Sequence, residues 1–459
     1  MKYEKLYKKS PVFFQNLIIS IYNYRAYRKR YGGKYKDYLA KFRRNASLSY
    51  EELLDIQKER YANFINYAIN NSKFYKELYK DIKNPEAIEN IEKLPIVNKE
   101  MIHKYAKDIY TIPKEQGNVA KTGGTTGKSL EVVFIKDNRQ ERFAMLDTFR
   151  SKYGYKLGKK TAWFSGKNIV TSKDIIKNRF WKTDIFYKVR YYSTFHVQHK
   201  NIRHYLDNLM VFKPEYIVGF PSSLLDIAAY GLQKGIDFPE DTVKAIFPTA
   251  ETIDEHARSI LESFFKTKLY DQYASSEGAP FIIECEKGNL HFELQSGVFE
   301  VLNENNNYSQ SGRLIVTAFA TQGTPLIRYD IGDAIIKSDR TCTCGNNNPL
   351  VDKILGREND YIFSEEIGKI NLGNLSNALK DVDGVVKFQV IQNEIDRIKV
   401  LVMKDIETYD DHSEQSFISN LRARVGSKII IDIEYVADIP HESSGKYRLI
   451  KNNIKNKSF

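Results

Sequence analysis

The chain has 459 residues, 42% hydrophobic and 28% charged, which is ordinary for a globular protein and enough to bury a large core without staples. Its 70 Lys and Arg against 58 Asp and Glu leave a formal charge of +12, but the basic residues are spread out with no long run and no nucleic-acid motif. The surplus therefore argues against nucleic acid and suits a phosphate-rich small molecule. Only three cysteines in so long a chain argue against a secreted disulfide framework and for a reducing, cytoplasmic setting.

The first uncharged stretch, 10–24, contains Pro11, Gln15, Asn16 and Asn23. It falls short of the ~20 apolar residues of a spanning helix and lacks a small-residue cleavage site, so neither a transmembrane segment nor a signal peptide is expected. Val12, Phe13, Leu17, Ile18 and Ile21 can share one helix face. The usual explanation of such a face is packing on the protein's own core; peripheral membrane contact is the alternative. The rest of 1–95 reads as helical, with 50–79 carrying apolar residues at amphipathic spacing.

From 162 to 319 short apolar runs, such as 216–220, 245–247 and 268–270, alternate with helical stretches, which predicts a mainly parallel α/β sheet. Runs at 312–319 and 333–337 follow without long helices, so a β-rich portion comes next. Asn303–Asn307 and Asn346–Asn348 read as turn tips. After Gly356 the texture changes. Residues 372–379 look helical, 386–391 and 397–403 form a hairpin around 393–396, 413–425 is a helix and 429–436 a strand. The expectation is a large multi-layer α/β domain over 1–356, helical at its start, and a small α+β domain over 357–459, joined by a hinge.

Five segments carry chemistry. The first, KTGGTTGKSL at 121–130, has Gly123, Gly124 and Gly127 to turn backbone N–H groups toward an anion, hydroxyls on Thr122, Thr125 and Thr126, and the charge of Lys128. A Walker A loop would need glycine five residues before Gly127, where Thr122 stands. Taken alone the loop is either a phosphate clamp or an ordinary Gly-rich turn. Next comes YASSEG, 273–278, in which Glu277 could hold Mg²⁺ through one carboxylate. RYDIGD, 328–333, offers Asp333 to a ribose. GREND, 356–360, lies at the texture change, and SSGKYR, 443–448, puts Lys446 beside Gly445.

In this order and spacing the segments resemble the adenylate-forming ligase superfamily of acyl-CoA synthetases, luciferases and peptide-synthetase adenylation domains. The chain is most similar to the phenylacetate–CoA ligase branch and its CapK-like members linked to capsular polysaccharide synthesis; SPVFFQNLIISIYNY (10–24) and VGFPSSL (218–224) resemble that branch too. The resemblance implies ATP and Mg²⁺ as cofactors. It implies that 122–128 clamps the triphosphate, that Ala250 and Glu251 line the adenine pocket with Tyr273, and that Ser276 and Glu277 belong to the nucleotide site, Glu277 on Mg²⁺. Asp333 and Arg357 would bind the ribose, Asn359 would be the hinge, and Lys446 the mobile catalytic lysine. It also implies an acyl pocket near Tyr192, Phe195, His196, Phe220, Pro221 and Ser222; core packing is the competing explanation for each. His199 and His204 carry no assignment.

The chain departs from the family twice. Asn359 stands where an acidic residue or lysine is common, and the Arg-Gly pair expected after the hinge is replaced by YIFSEEIGKI (361–370). The acceptor of the second step thus stays open between CoA and an amine or sugar hydroxyl. The competing functions are a P-loop phosphotransferase and a non-catalytic nucleotide-binding component of polysaccharide assembly; Gly127, Glu277, Asp333, Arg357 and Lys446, all intact, argue against decay.

Cys285 and His291 (C-x5-H) with Cys342 and Cys344 (C-x-C, beside Gly345) offer a Cys₃His set, the donors of a closed, structural zinc site. Three ordinary thiols and a surface histidine are the alternative.

Overall fold

The computed structural model describes residues 7–121, 130–167, 169–357, 361–372, 375, 377–379, 382–405, 407–442 and 445–454. The chain forms two compact units, one of Met1–Tyr22, Leu157–Leu269 and Leu355–Phe459, the other of Asn23–Lys156 and Tyr270–Ile354.

In the first unit, YIVG and AIFP are apolar throughout because they form strands covered on both faces. Strands Val189–Ser193, Thr161–Ser165, Tyr216–Gly219 and Ala245–Pro248 run parallel in that order, with Trp181–Asp184 antiparallel at the Val189–Ser193 edge. Helices His199–Phe212, Pro221–Gln233 and Glu255–Phe265 supply Leu206, Leu209, Leu224, Ile227, Leu261 and Phe264 to the same core. Their ends follow local chemistry. Pro221 occupies the first turn, where a missing N–H costs nothing, and the Asp254 carboxylate accepts from the N–H of Ala257 at 2.8 Å.

Residues from Tyr361 onward have a core of their own, built on Phe388, Val390, Val400, Phe417 and Leu421. Its four-stranded sheet runs Ile430–Tyr435, Arg397–Lys404, Val385–Gln392, Ile450–Asn452, with the helix Asp411–Val425. The expected hairpin, helix and strand are all present. Of the helix expected over 372–379, Leu372 and Leu375 are helical and Asn377–Leu379 is a 3₁₀ turn, while 373, 374 and 376 lie outside the described residues.

This C-terminal core docks on the helix Pro221–Gln233. Val386 packs with Leu225, Ala229 and Ala257, and His256 Nε2 meets the Val385 carbonyl at 2.6 Å. At the centre, Lys387 Nζ lies 2.7 Å from Asp226 Oδ1, both side chains almost wholly buried. Burial disfavours charge on Asp226, but Lys387 and then His441 outweigh it and hold the carboxyl below the usual range.

The helix Val12–Arg30 corrects an expectation. Its first turns are held by polar groups: Asn16 Oδ1 accepts from Thr183 N at 3.0 Å, Ser20 Oγ accepts from Ile185 N at 2.8 Å, and Gln15 Oε1 accepts from Lys182 Nζ. Gln15 and Ser20 are buried, whereas Phe13, Ile18 and Ile21 face outward and Val12 and Leu17 are half-buried. The helix caps the open edge of Trp181–Asp184, and an edge strand presents unpaired N–H groups that only polar side chains can satisfy.

The second unit joins helices Tyr50–Asn71 and Lys136–Ser151 to a seven-stranded sheet, ordered Gly297–Leu302, Ser311–Ala318, Leu326–Lys337, Leu350–Arg357, Leu290–Phe292, Ile282–Glu284, Gln272–Tyr273. Ser49 and Glu52 form a capping box at the start of the long helix. The helix expected over 50–79 is two: Ser72 leaves helical geometry and caps Lys73–Leu78. The strand expected at 268–270 is only a bridge from Leu269 to Ile246, and pairing resumes at Gln272–Tyr273.

Removing one partner of a buried ion pair strands the other charge. Lys387→Met is expected to cost about 3 kcal/mol, read as a fall in Tm at neutral pH, and Asp226→Leu added to it to recover most of the loss. The carboxyl of Asp226 is depressed from 3.8, so the contribution is full above that pH and fades as pH falls through the lower native value. The gap in Tm between wild type and Lys387→Met should therefore close in acid.

Candidate functional site

The Lys446 loop is seated by three contacts within the first unit. A turn forms where Glu442 N donates to Lys446 O at 2.7 Å and Gly445 N to Glu442 O at 2.8 Å. Tyr447 N donates to Glu251 Oε1 at 2.8 Å. Gly445 is buried at φ +77°, and a Cβ there would lie 2.4 Å from Thr194 Oγ1 and 3.3 Å from the Phe195 ring, so only glycine allows this approach. Among the described residues the Lys446 ammonium has no ion-pair partner.

Glu251 lies at the junction. Its carboxylate also accepts from Ser222 N and Ser222 Oγ, each at 3.0 Å. Burial raises its pKa, and these donors only partly offset it. Glu251, expected to line the adenine pocket with Ala250, thus joins the FPTAE and VGFPSSL segments to the Lys446 loop. Next to it, Ala250 holds φ +67°, a left-handed backbone that costs a non-glycine residue about 1 kcal/mol and collects at ligand sites. Gly356, at φ +83°, would bring a Cβ within 3.5 Å of Thr252 Oγ1, so the chain reaches exposed Arg357 alongside this segment.

Of the acyl-pocket candidates, half-buried Phe195 and buried Phe220, Pro221 and Ser222 surround these contacts. His196 Nδ1 lies 2.9 Å from Ser193 Oγ and its ring stacks on Phe180 at 5.7 Å; burial lowers its pKa. Tyr192 instead stacks on Phe164 at 4.6 Å within the core.

Other candidates belong to the second unit. Tyr273 donates its hydroxyl to Asp333 Oδ2 at 2.6 Å, joining YASSEG to RYDIGD. Glu277 is buried, and among the described residues its carboxylate makes no hydrogen bond or ion pair. Ser276 is exposed on the same turn. Arg142, unnoticed in the sequence, holds that turn by donating to the carbonyls of Gly278 at 2.6 Å and Ala279 at 2.7 Å. Burial lowers Arg142 to about 10, opposed by Glu141 and Glu277. Arg328 of RYDIGD is structural: it pairs with Glu300 at 2.7 Å and donates to the carbonyls of Glu92 and Leu94.

Paired strands Asn118–Lys121 and Glu131–Phe134, in register from Lys121 to Glu131, flank the Gly/Thr loop. Lys121 and Lys114 both pair with Glu131, whose carboxyl is lowered to about 2 by these bonds. Thr122, Gly123, Gly124, Thr125, Thr126, Gly127 and Lys128 lie outside the described residues, as does Asn359.

Cys285, His291, Cys342 and Cys344 converge, with ligand atoms all within 4.8 Å of one another. Sγ of Cys285 lies 3.7 Å from Sγ of Cys342, and Sγ of Cys344 lies 3.5 Å from His291 Nε2. His291 Nδ1 is 2.8 Å from the Asn348 carbonyl, which can only accept; the proton therefore sits on Nδ1 and the Nε2 lone pair faces the thiols. Burial pushes Cys344 up to about 12 and raises Cys285, while its hydrogen bonds lower Cys342 despite burial.

A family model described as the CapK C-terminal domain matches residues 362–453. The chain is 33% identical over 457 residues to Protein CapK of Staphylococcus aureus, covering 98% of this chain and 99% of that one. It is 22% identical over 331 residues to phenylacetate-coenzyme A ligase of Thermus thermophilus, covering 69% and 73%. The fold matches 2-hydroxyisobutyryl-CoA ligase in the postadenylation state with R3-HIB-AMP at a TM-score of 0.72, with 16% identity, over 89% and 91% of the two chains.

Gly445→Ala meets both a left-handed backbone and the Thr194 hydroxyl, a strain of about 1–2 kcal/mol or more. Hydrogen exchange should show the Tyr447 amide opening about tenfold faster or more, with the strands of the C-terminal core unchanged.

Proposed function

The chain belongs to the CapK family of the adenylate-forming ligases, and on that premise we propose that it uses ATP to convert a carboxylic acid to an acyl-adenylate with release of pyrophosphate. The observation that carries this reading is the seating of Gly445 against Thr194 and Phe195, which holds the Lys446 loop on the proposed acyl pocket.

The substrate carboxylate attacks the α-phosphate, the bond to the β-phosphate oxygen breaks, and pyrophosphate leaves. Negative charge crowds the transition state, and the Lys446 ammonium stabilises it electrostatically. Thr122–Lys128 clamps the triphosphate, Tyr273 packs on adenine, and Asp333 with Arg357 takes the ribose hydroxyls. A buried carboxylate without a described donor suits a cation, so Glu277 is the residue that would hold Mg²⁺. Bound there, Mg²⁺ would neutralise phosphate charge. We assign 357–459 as the mobile small domain, with Asn359 as its hinge, and CoA as the first acceptor to test. An amine or sugar hydroxyl in cytoplasmic steps of surface polysaccharide synthesis is the second acceptor, prompted by the CapK relationship.

Zinc is proposed at the Cys₃His cluster. Two Zn–S bonds of ~2.3 Å at a tetrahedral angle span ~3.8 Å, and a Zn–S with a Zn–N bond of ~2.05 Å spans ~3.6 Å. The corresponding separations here are 3.7 and 3.5 Å. Four protein ligands would leave no open position, so the metal would tie the hairpin bearing Cys285 and His291 to the loop bearing Cys342 and Cys344.

A pyrophosphate-release screen over many carboxylic acids, with and without CoA, should find acid-dependent release with AMP as the nucleotide product; ADP would point to a phosphotransferase instead. Lys446→Ala should lower the adenylation rate about 10²–10³-fold, and an unchanged rate would remove the mechanism. Protein purified without added metal should carry about one zinc per chain, falling on Cys344→Ser, and metal analysis that finds none would remove the zinc assignment.

A further inference from the structure

The start of helix Val12–Arg30 is inside out. Its polar residues Gln15 and Ser20 face the sheet edge, while on the opposite side Phe14 is 53% exposed, Ile21 40% and Ile18 37%. Two neighbouring segments add to this surface. Lys182 bonds both Gln15 and Asp174, which brings the turn after Asp174 beside the helix, and there Ile176 is 81% exposed. Ile185 N donates to Ser20, and the adjoining Phe186 is 50% exposed.

The charge around this apolar face has one sign. No acidic residue occurs between Glu4 and Asp37. Between 166 and 190 the only acids are Asp174 and Asp184, and both are buried: Asp174 on Lys182, Asp184 on the amides of Phe186 and Tyr187. Lys8, Lys9, Lys173, Lys177 and Lys188 are exposed. Aromatic and aliphatic side chains ringed by lysines, on a helix already anchored by its polar side, match the requirements of an anionic bilayer surface. A second copy fits worse, because a two-fold contact of this face with itself would set lysine against lysine.

We infer that the face formed by Phe14, Ile18 and Ile21, with Ile176 and Phe186 beside it, docks the protein on anionic lipid, with the apolar side chains entering the headgroup boundary and the lysines meeting the phosphates. None of these residues belongs to the proposed adenylation machinery, so docking and adenylation can be tested separately.

The test is co-sedimentation of the full chain with vesicles of phosphatidylcholine, alone or with an equal share of phosphatidylglycerol. Binding should be at least about tenfold stronger to the anionic vesicles and should fall as salt rises. Phe14→Ser with Ile18→Ser and Ile176→Ser should lose that binding about tenfold or more while acid-dependent pyrophosphate release is unchanged. Should the triple variant fail to fold, Lys173→Glu with Lys177→Glu must weaken anionic binding alone. The inference falls if the wild type stays in the supernatant with anionic vesicles, or if neutral vesicles bind it equally. It also falls if both variants bind like wild type, or if sedimentation velocity shows a dimer that the triple variant dissolves.

Discussion

Lys387 leaves the sheet of the C-terminal core and ends against Asp226, on a helix whose other buried residues carry no charge. Neither charge reaches water there, so each is tolerable only while the other is present. A hydrophobic contact such as Val386 on Leu225 and Ala229 would accept several orientations; a buried ion pair accepts few. That constraint sets where Tyr447 and Gly445 fall. Glu251 then receives the Tyr447 amide, and Gly445 closes on Thr194, with Lys446 between them. The chemistry proposed for the lysine depends on an ion pair that touches no substrate.

Much of this was legible. Parallel strands such as YIVG announce themselves by being apolar throughout, and the C-terminal hairpin by its alternation. The cysteine set was legible because every cysteine and one histidine were needed to complete it, and they do converge. Asp226 was a signal passed over: a lone carboxylate in PSSLLDIAAYG requires a buried partner.

Other features had no local signature. Apolar spacing in 12–21 marks a face but not what covers it, and the groups that decide its orientation lie on Trp181–Asp184. FPTAE marks Glu251 as a candidate, yet its saturation by Ser222 and Tyr447 depends on two distant segments. The RYDIGD motif combines two tasks that spacing cannot separate: Arg328 secures the chain to Glu300, and Asp333 answers Tyr273.

The discontinuous layout of the units has a consequence for synthesis. The second unit needs nothing beyond Ile354, whereas the first draws on Met1–Tyr22 and on the last hundred or so residues. Asn16 must wait for Thr183, Asp226 for Lys387 and Glu251 for Tyr447. At ~5–20 residues per second, the stretch from Asp226 to Lys387 alone keeps a ribosome occupied for about 8–32 s, during which the acidic partner of the docking pair is made but unmatched. The unit that begins the chain is therefore the last to close, and the nascent protein holds an incomplete α/β layer open until its final segment emerges.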